Sequence, residues 1–218
     1  MSTTSYRAVD LDAFDRAQPV HDPFDFLYVQ HLVKPDALAR IRATAEVPPE
    51  RGSWPLEQLN DREGALKELL DELTSDDFAR RLGTKLNADI VGKPTMVTIR
   101  GRVEAKDGSI HTDSLDKIVT VLVYLNEAWP HTGGRLRMLR DKNDLDSTLL
   151  EIEPVGGNMI AFRRSDNSWH GHYPADAPRF AFQLNWITDV AARDHEMKRH
   201  RRSAWLKRLK SRLFPRTT

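Results

Sequence analysis

Residues 179–186 read RFAFQLNW, and the strict alternation of this run decides the fold. At a two-residue period Phe180, Phe182, Leu184 and Trp186 share one face, while Arg179, Ala181, Gln183 and Asn185 share the other. One face is core and the other polar. Upstream, short β-rich runs separated by turn residues recur from Pro94 onward, over 95–103, 118–125, 135–139 and 158–162, with the last over 180–187. No helical pattern lies between them. An antiparallel sandwich or barrel therefore fits better than a parallel α/β sheet. A guanidinium such as that of Arg179, carried on a face turned inside a barrel, needs a compensating anion, and its planar fork matches a carboxylate.

The first ninety residues differ in character. Leu38, Ile41 and Ala45 recur at helical spacing, as do Leu66, Leu69, Leu70 and Leu73. Ser75 followed by Asp76 and Asp77 suits a helix start, where a hydroxyl acceptor and early negative charge meet exposed amides; a helix through Phe78 and Leu82 follows. Such helices would cover one face of the β unit. The chain is expected to form one domain over 1–192, with a helical lead-in over 1–93, a β-rich core over 94–188 and a tail over 193–218.

With 39% hydrophobic and 30% charged residues, the 218-residue chain is too polar for a membrane span and too apolar for disorder. The opening MSTTSYRAVDLDAFDRAQ lacks the apolar stretch of a secretory signal, so a cytoplasmic location is the default expectation. There is no Cys, which removes disulfides, thiolate nucleophiles and Cys-based metal sites and leaves His, Asp and Glu as metal ligands.

His111-Thr112-Asp113 places an imidazole and a carboxylate on the same face of extended chain, a two-ligand claw. Such a pair arises often by chance. The order of features after it is more specific: a strand through Tyr124-Leu125-Asn126, Gly133-Gly134 before a strand, Pro154-Val155-Gly156-Gly157, then His170 and Arg179. Over roughly 94–188 this series resembles the iron(II)/2-oxoglutarate dioxygenases, in particular their prolyl-hydroxylase-like branch. PFDFLYVQHLVKPDALARI more loosely resembles that family's N-terminal lead-in. The resemblance implies an α+β chain built on a double-stranded β-helix, or jelly roll, with helices packed outside and a basic C-terminal helix beyond it.

By that resemblance His111, Asp113 and His170 bind iron(II), with 2-oxoglutarate as cosubstrate, O2 as oxidant and ascorbate as a reductant. Two His and one carboxylate leave open positions on the metal. The expected reaction is hydroxylation of a substrate coupled to formation of succinate and CO2. His172 competes for the distal ligand position. His170 is preferred because Arg179 follows it by nine residues, close to the family's spacing, and His172 is left as a substrate-facing or neighbouring group. The resemblance gives Arg179 the distal carboxylate of 2-oxoglutarate, with Tyr124 capping it and Gln183 as a weaker candidate for the same pocket.

Arg100 and Arg102, on the strand before the claw, would meet a negatively charged substrate or the cosubstrate's first carboxylate, or else lie on the surface. Two departures stand out: Arg179-Phe180-Ala181 where the family often has Arg-x-Ser, and Gly108 in a poorly matched lead-in to His111. Asp113 argues for hydroxylation over halogenation, since related halogenases carry a small residue there. Asn185, where the base-demethylase branch carries a second Arg, argues against nucleic acid as substrate. A small metabolite, a glycan or a peptide remains. Two other readings compete: a jelly-roll module that binds metal and a small acid without turnover, and a cupin-like metalloprotein that does not use 2-oxoglutarate.

Residues 193–218 hold ten Lys/Arg against two Asp/Glu, leaving 23 against 30 for the remainder. Trp205, Leu206, Leu209 and Leu213 form an apolar stripe on a helix through this segment. Such a helix could lie on an anionic membrane surface through 197–216, bind nucleic acid non-specifically, or pack against the domain.

Overall fold

The computed structural model describes residues 6–56, 64–195 and 197–198. The alternating run forms the long strand β9 (Ala177–Ile187), flanked on one side by β3 (Thr95–Val103) and on the other by β4 (Lys117–Tyr124), both antiparallel to it. With β1 (Phe26–Val29), β2 (Trp54–Pro55) and β7 (Met159–Arg163) they make a six-stranded sheet of order β1-β7-β4-β9-β3-β2. A second sheet of order β6-β5-β8 is built from β5 (Leu136–Leu139), β6 (Thr148–Ile152) and β8 (His170–Gly171). Two antiparallel sheets face one another, as a jelly roll requires.

Alternation in β9 separates two cores. Phe180, Phe182, Leu184 and Trp186 pack with Val119, Val121 and Met159 against the helices, whereas Ala181 packs with Tyr124, Leu136, Ile160 and Phe162 between the sheets. Each fully buried side chain of this size contributes about 1.5–3 kcal/mol through apolar burial. The helix-side layer consists of α1 (Leu11–Arg16), α2 (Pro35–Thr44), α3 (Ala65–Leu73) and α4 (Asp76–Lys85). Helix α3 buries Leu66, Leu69, Leu70 and Leu73, the stripe expected from their spacing. The Ser75 hydroxyl accepts from the Phe78 amide at 3.2 Å and so caps α4, with Asp76 and Asp77 in the first turn. Buried Glu72 accepts the amides of Ala8 and Val9 at 3.0 and 2.8 Å, tying the N-terminal segment to α3.

The lead-in is not wholly helical. FLYV and the Trp54-Pro55 pair join opposite edges of the six-stranded sheet, because short runs of β-branched and aromatic residues find open strand edges there. The tail expected over 193–218 lies outside the described residues from 199 onward; Met197 packs on Met96 and Ile187. Among the described residues no helix is long and apolar enough to cross a membrane.

The β3/β9 pairing runs in register from Thr95↔Trp186 to Arg100↔Ala181, then slips so that Arg102 faces Pro178. Gly101 sits at this bulge, where a Cβ would come 1.8 Å from the Pro48 carbonyl oxygen. Gly101→Ala is therefore expected to cost about 1–3 kcal/mol by overpacking, read as a lower melting midpoint by circular dichroism. An unchanged midpoint would mean that the 47–48 segment yields freely.

Candidate active site

The chain ahead of β4 and strand β8 are joined by a reciprocal backbone pair: the His111 amide donates to the His170 carbonyl and the His170 amide to the His111 carbonyl, each at 3.0 Å. A hydrogen-bonded antiparallel pair sends both side chains to the same face, and Asp113, two residues along extended chain, joins them there. The imidazole centroids lie 4.4 Å apart. One ligand atom from each of His111, Asp113 and His170 falls within 4.8 Å of the others. His170 and Asp113 are buried and His111 is exposed, so the cluster is open on one side.

The immediate surroundings prepare these groups as ligands. Nδ1 of His111 lies 2.8 Å from the Ser109 carbonyl oxygen and Nδ1 of His170 lies 3.0 Å from that of Ser168. A proton on each Nδ1 donates to its carbonyl and leaves the Nε2 lone pair free. Burial pulls the His170 pKa down to about 4 against the favourable field of Asp113, so this imidazole is neutral at pH 7. Burial pushes the Asp113 carboxyl the other way, but the Lys117 ammonium, His170 and hydrogen bonds from Lys117 and Thr120 outweigh it and hold the pKa at about 2. Lys117 Nζ donates to Asp113 Oδ1 at 2.8 Å, and the Thr120 hydroxyl donates to Oδ2.

Thr120 begins a polar chain across the cavity floor. Its hydroxyl accepts from Asn185 Nδ2 at 2.7 Å, Asn185 Oδ1 accepts from Gln183 Nε2 at 3.1 Å, and Gln183 Oε1 accepts from Arg100 Nη2 at 2.7 Å. The registers Arg100↔Ala181↔Tyr124 and Asn185↔Thr120 put all of these on the inner face of β3, β9 and β4. Thr120→Val keeps the shape but removes the hydroxyl from Asp113. We expect metal affinity to fall about 10- to 100-fold by Mn(II) titration. An affinity within twofold of wild type would show that the carboxylate keeps its place unaided.

A cavity of about 350 Å³ holds the cluster at one wall, and Arg51, Arg100, Tyr124, His172, Arg179 and Gln183 also line it. Arg179 is buried; its Nη1 donates to the Gly134 carbonyl oxygen at 2.8 Å, while its buried Nε has no partner. Gly134, at φ 77°, is the second glycine of the Gly133-Gly134 pair. Tyr124 is buried beside it, and burial raises the pKa of its hydroxyl against the fields of Arg179 and Arg100. His172 lies in the same cavity but outside the three-residue cluster, its Nδ1 2.9 Å from the Tyr173 carbonyl oxygen. Burial, with Arg179 beside it, lowers its pKa to about 4. Gly108 is required by this packing: at φ 97° its Cβ would stand 2.3 Å from the His172 carbonyl oxygen.

Arg102, expected to meet substrate, does not line the cavity. The bulge at Gly101 turns it aside, and its guanidinium pairs with Asp176. Arg100 takes the inward position instead. No sequence motif marks Thr120, Lys117 and Asn185 as site residues, although alternation in β4 and β9 puts Thr120 and Asn185 on the inner face.

Two imidazoles and one carboxylate with an open side are the donor set of non-haem iron(II) oxygenases, and the unpartnered Arg179 Nε suits an anion. Residues 102–187 match the family model described as the 2OG-Fe(II) oxygenase superfamily. No curated protein sequence matches the chain. Among solved structures, a Pseudomonas putida prolyl-4-hydroxylase is 20% identical with a TM-score of 0.56, covering 86% of this chain and 96% of that one. A Trichoplax adhaerens prolyl hydroxylase, in complex with a hypoxia inducible factor peptide fragment, is 21% identical with a TM-score of 0.54, covering 78% and 86%. A viral collagen prolyl hydroxylase from Paramecium Bursaria Chlorella virus-1, in a 2OG complex, is 16% identical with a TM-score of 0.51, covering 78% and 99%. These likenesses show the double-stranded β-helix fold.

Proposed function

We propose that this chain belongs to the 2OG-Fe(II) oxygenase superfamily, that His111, Asp113 and His170 hold ferrous iron, and that Arg179 and Tyr124 anchor the far carboxylate of 2-oxoglutarate. The protein is a dioxygenase that uses iron(II), 2-oxoglutarate and O2. The observation that carries the assignment of residues is the convergence of three ligand atoms within 4.8 Å in the cavity that also holds the buried, anion-seeking Arg179. When bound, iron(II) supplies the oxygen activation that couples decarboxylation of 2-oxoglutarate to hydroxylation of a substrate.

The chain's own residues prepare that chemistry. Lys117 and Thr120 fix the two oxygens of Asp113, so the carboxylate reaches the metal without reorganising. The Ser109 and Ser168 carbonyls orient the two imidazoles. Arg179 offers a charge-assisted fork and Tyr124 a hydroxyl to the same carboxylate. Leu122, Leu136, Phe162 and Ala181 make the apolar part of the cavity wall, which limits water around the reacting groups.

The same proposal takes 1–192 as one oxygenase domain, supported by a core that runs from Tyr6 to Trp186, with 193–218 as an appended tail. The substrate is a small metabolite, a glycan or a peptide; the Trichoplax neighbour holds a peptide. The test is metal-dependent 2-oxoglutarate binding by calorimetry, followed by succinate release in air with iron(II) and ascorbate as reductant. Binding that needs the metal, and succinate that disappears with a chelator, are expected. Failure of both would remove the oxygenase reading.

A further inference from the structure

Resting on the reading above, we propose that the substrate is an anion whose carboxylate or phosphate group is received by Arg100. Three guanidiniums line the cavity, those of Arg51, Arg100 and Arg179, and the buried Nε of Arg100 and of Arg179 lacks a hydrogen-bond partner. Among the described residues neither forms an ion pair, whereas the other cations around the cavity are matched: Arg51 with Asp107, Lys106 with Glu104, and Lys117 with Asp113. Arg102, two residues further along β3, is likewise neutralised by Asp176. Arg100 and Arg179 are the unmatched pair.

The cosubstrate accounts for only one of them. A dicarboxylate with one end on the metal and the other on Arg179 leaves the second guanidinium uncompensated. Arg100 is the one linked to the metal cluster through hydrogen-bonded side chains. The polar chain Arg100–Gln183–Asn185–Thr120 ends on Asp113, and the Asp113 carboxylate is the largest charge opposing the effect of burial on Arg100. The Gln183 contact fixes one nitrogen of the Arg100 fork and adds no negative charge.

A neutral substrate filling the cavity would strip water from an unpaired guanidinium and leave it so, at a desolvation cost that an anion avoids. The site therefore selects for negative charge in the cavity that holds the metal cluster. A charge-assisted contact of this kind corresponds to about tenfold or more in affinity.

The experiment uses the full chain loaded with Mn(II) and saturating 2-oxoglutarate under nitrogen, titrated by calorimetry with acetate, inorganic phosphate and neutral acetamide. At least one anion is expected to bind tenfold or more tighter than acetamide, and comparison of acetate with phosphate tells which oxyanion the site prefers. Arg100→Gln should abolish the preference and Arg100→Lys should retain part of it, with melting midpoints recorded for both. Equal binding of anions and acetamide to the wild type would overturn the proposal. A preference that survives in Arg100→Gln would also overturn it, because the anion would then sit on the metal. A more than tenfold loss of 2-oxoglutarate affinity in Arg100→Gln would assign Arg100 to the cosubstrate instead. Wild-type binding of 2-oxoglutarate, measured first, separates failure of this proposal from failure of the oxygenase reading.

Discussion

Asp113→Ala is expected to weaken metal binding by ~100-fold or more and to eliminate metal-dependent succinate release. Asp113 is the single anionic donor of the cluster, and its pKa of about 2 keeps it charged throughout the neutral range. Removing it leaves the Lys117 ammonium, which is mostly buried, facing two imidazoles with no counter-charge. A divalent cation entering that space meets repulsion where it met attraction, and the lone buried ammonium is itself unfavourable. Asp113→Asn separates the two effects, since it keeps the side-chain shape while removing the charge. Mn(II) titration under nitrogen checks the first expectation and succinate in air the second. Wild-type affinity in both variants would mean that the metal sits elsewhere.

Arg179→Ala is expected to raise the apparent KM for 2-oxoglutarate by tenfold to more than a hundredfold. This corresponds to the roughly 1.5–3 kcal/mol of a charge-assisted hydrogen bond. Metal affinity should change far less, because Arg179 is outside the three-residue cluster. Arg179→Lys should recover only part of the loss, as an ammonium on a flexible stem does not reproduce the planar fork and cannot keep both the Gly134 carbonyl and a carboxylate in line. An unchanged KM would place the anchor on another residue, with Arg100 the first to examine.

What the sequence made legible follows from periodicity. A two-residue repeat is enough to put Arg179, Ala181, Gln183 and Asn185 on one face, and in the structure they share the inner face of β9. The same reasoning misplaces Arg102, because a bulge breaks the period and only the contact of Gly101 with Pro48, far apart in the chain, requires the bulge. The pairing of His111 with His170 is a long-range event between distant segments of the chain that no local pattern encodes; spacing to Arg179 is the one sequence signal separating His170 from His172. Strands β1 and β2 are not legible in the sequence, because four and two residues are too short for a period to register amid helix-forming sequence. The choice of Thr120 and Lys117 as partners of Asp113 likewise depends on where the loop after His111 returns to β4.

The hydrogen-bonded chain from Arg100 to Asp113 ties two properties that an engineer would prefer to adjust separately. Each amide in it has one orientation that satisfies both neighbours, so altering the residue at position 100 also disturbs the constraint on the Asp113 carboxylate. Substitutions at 100, 120, 183 and 185 should consequently be epistatic, their combined effects departing from the sum of the single ones.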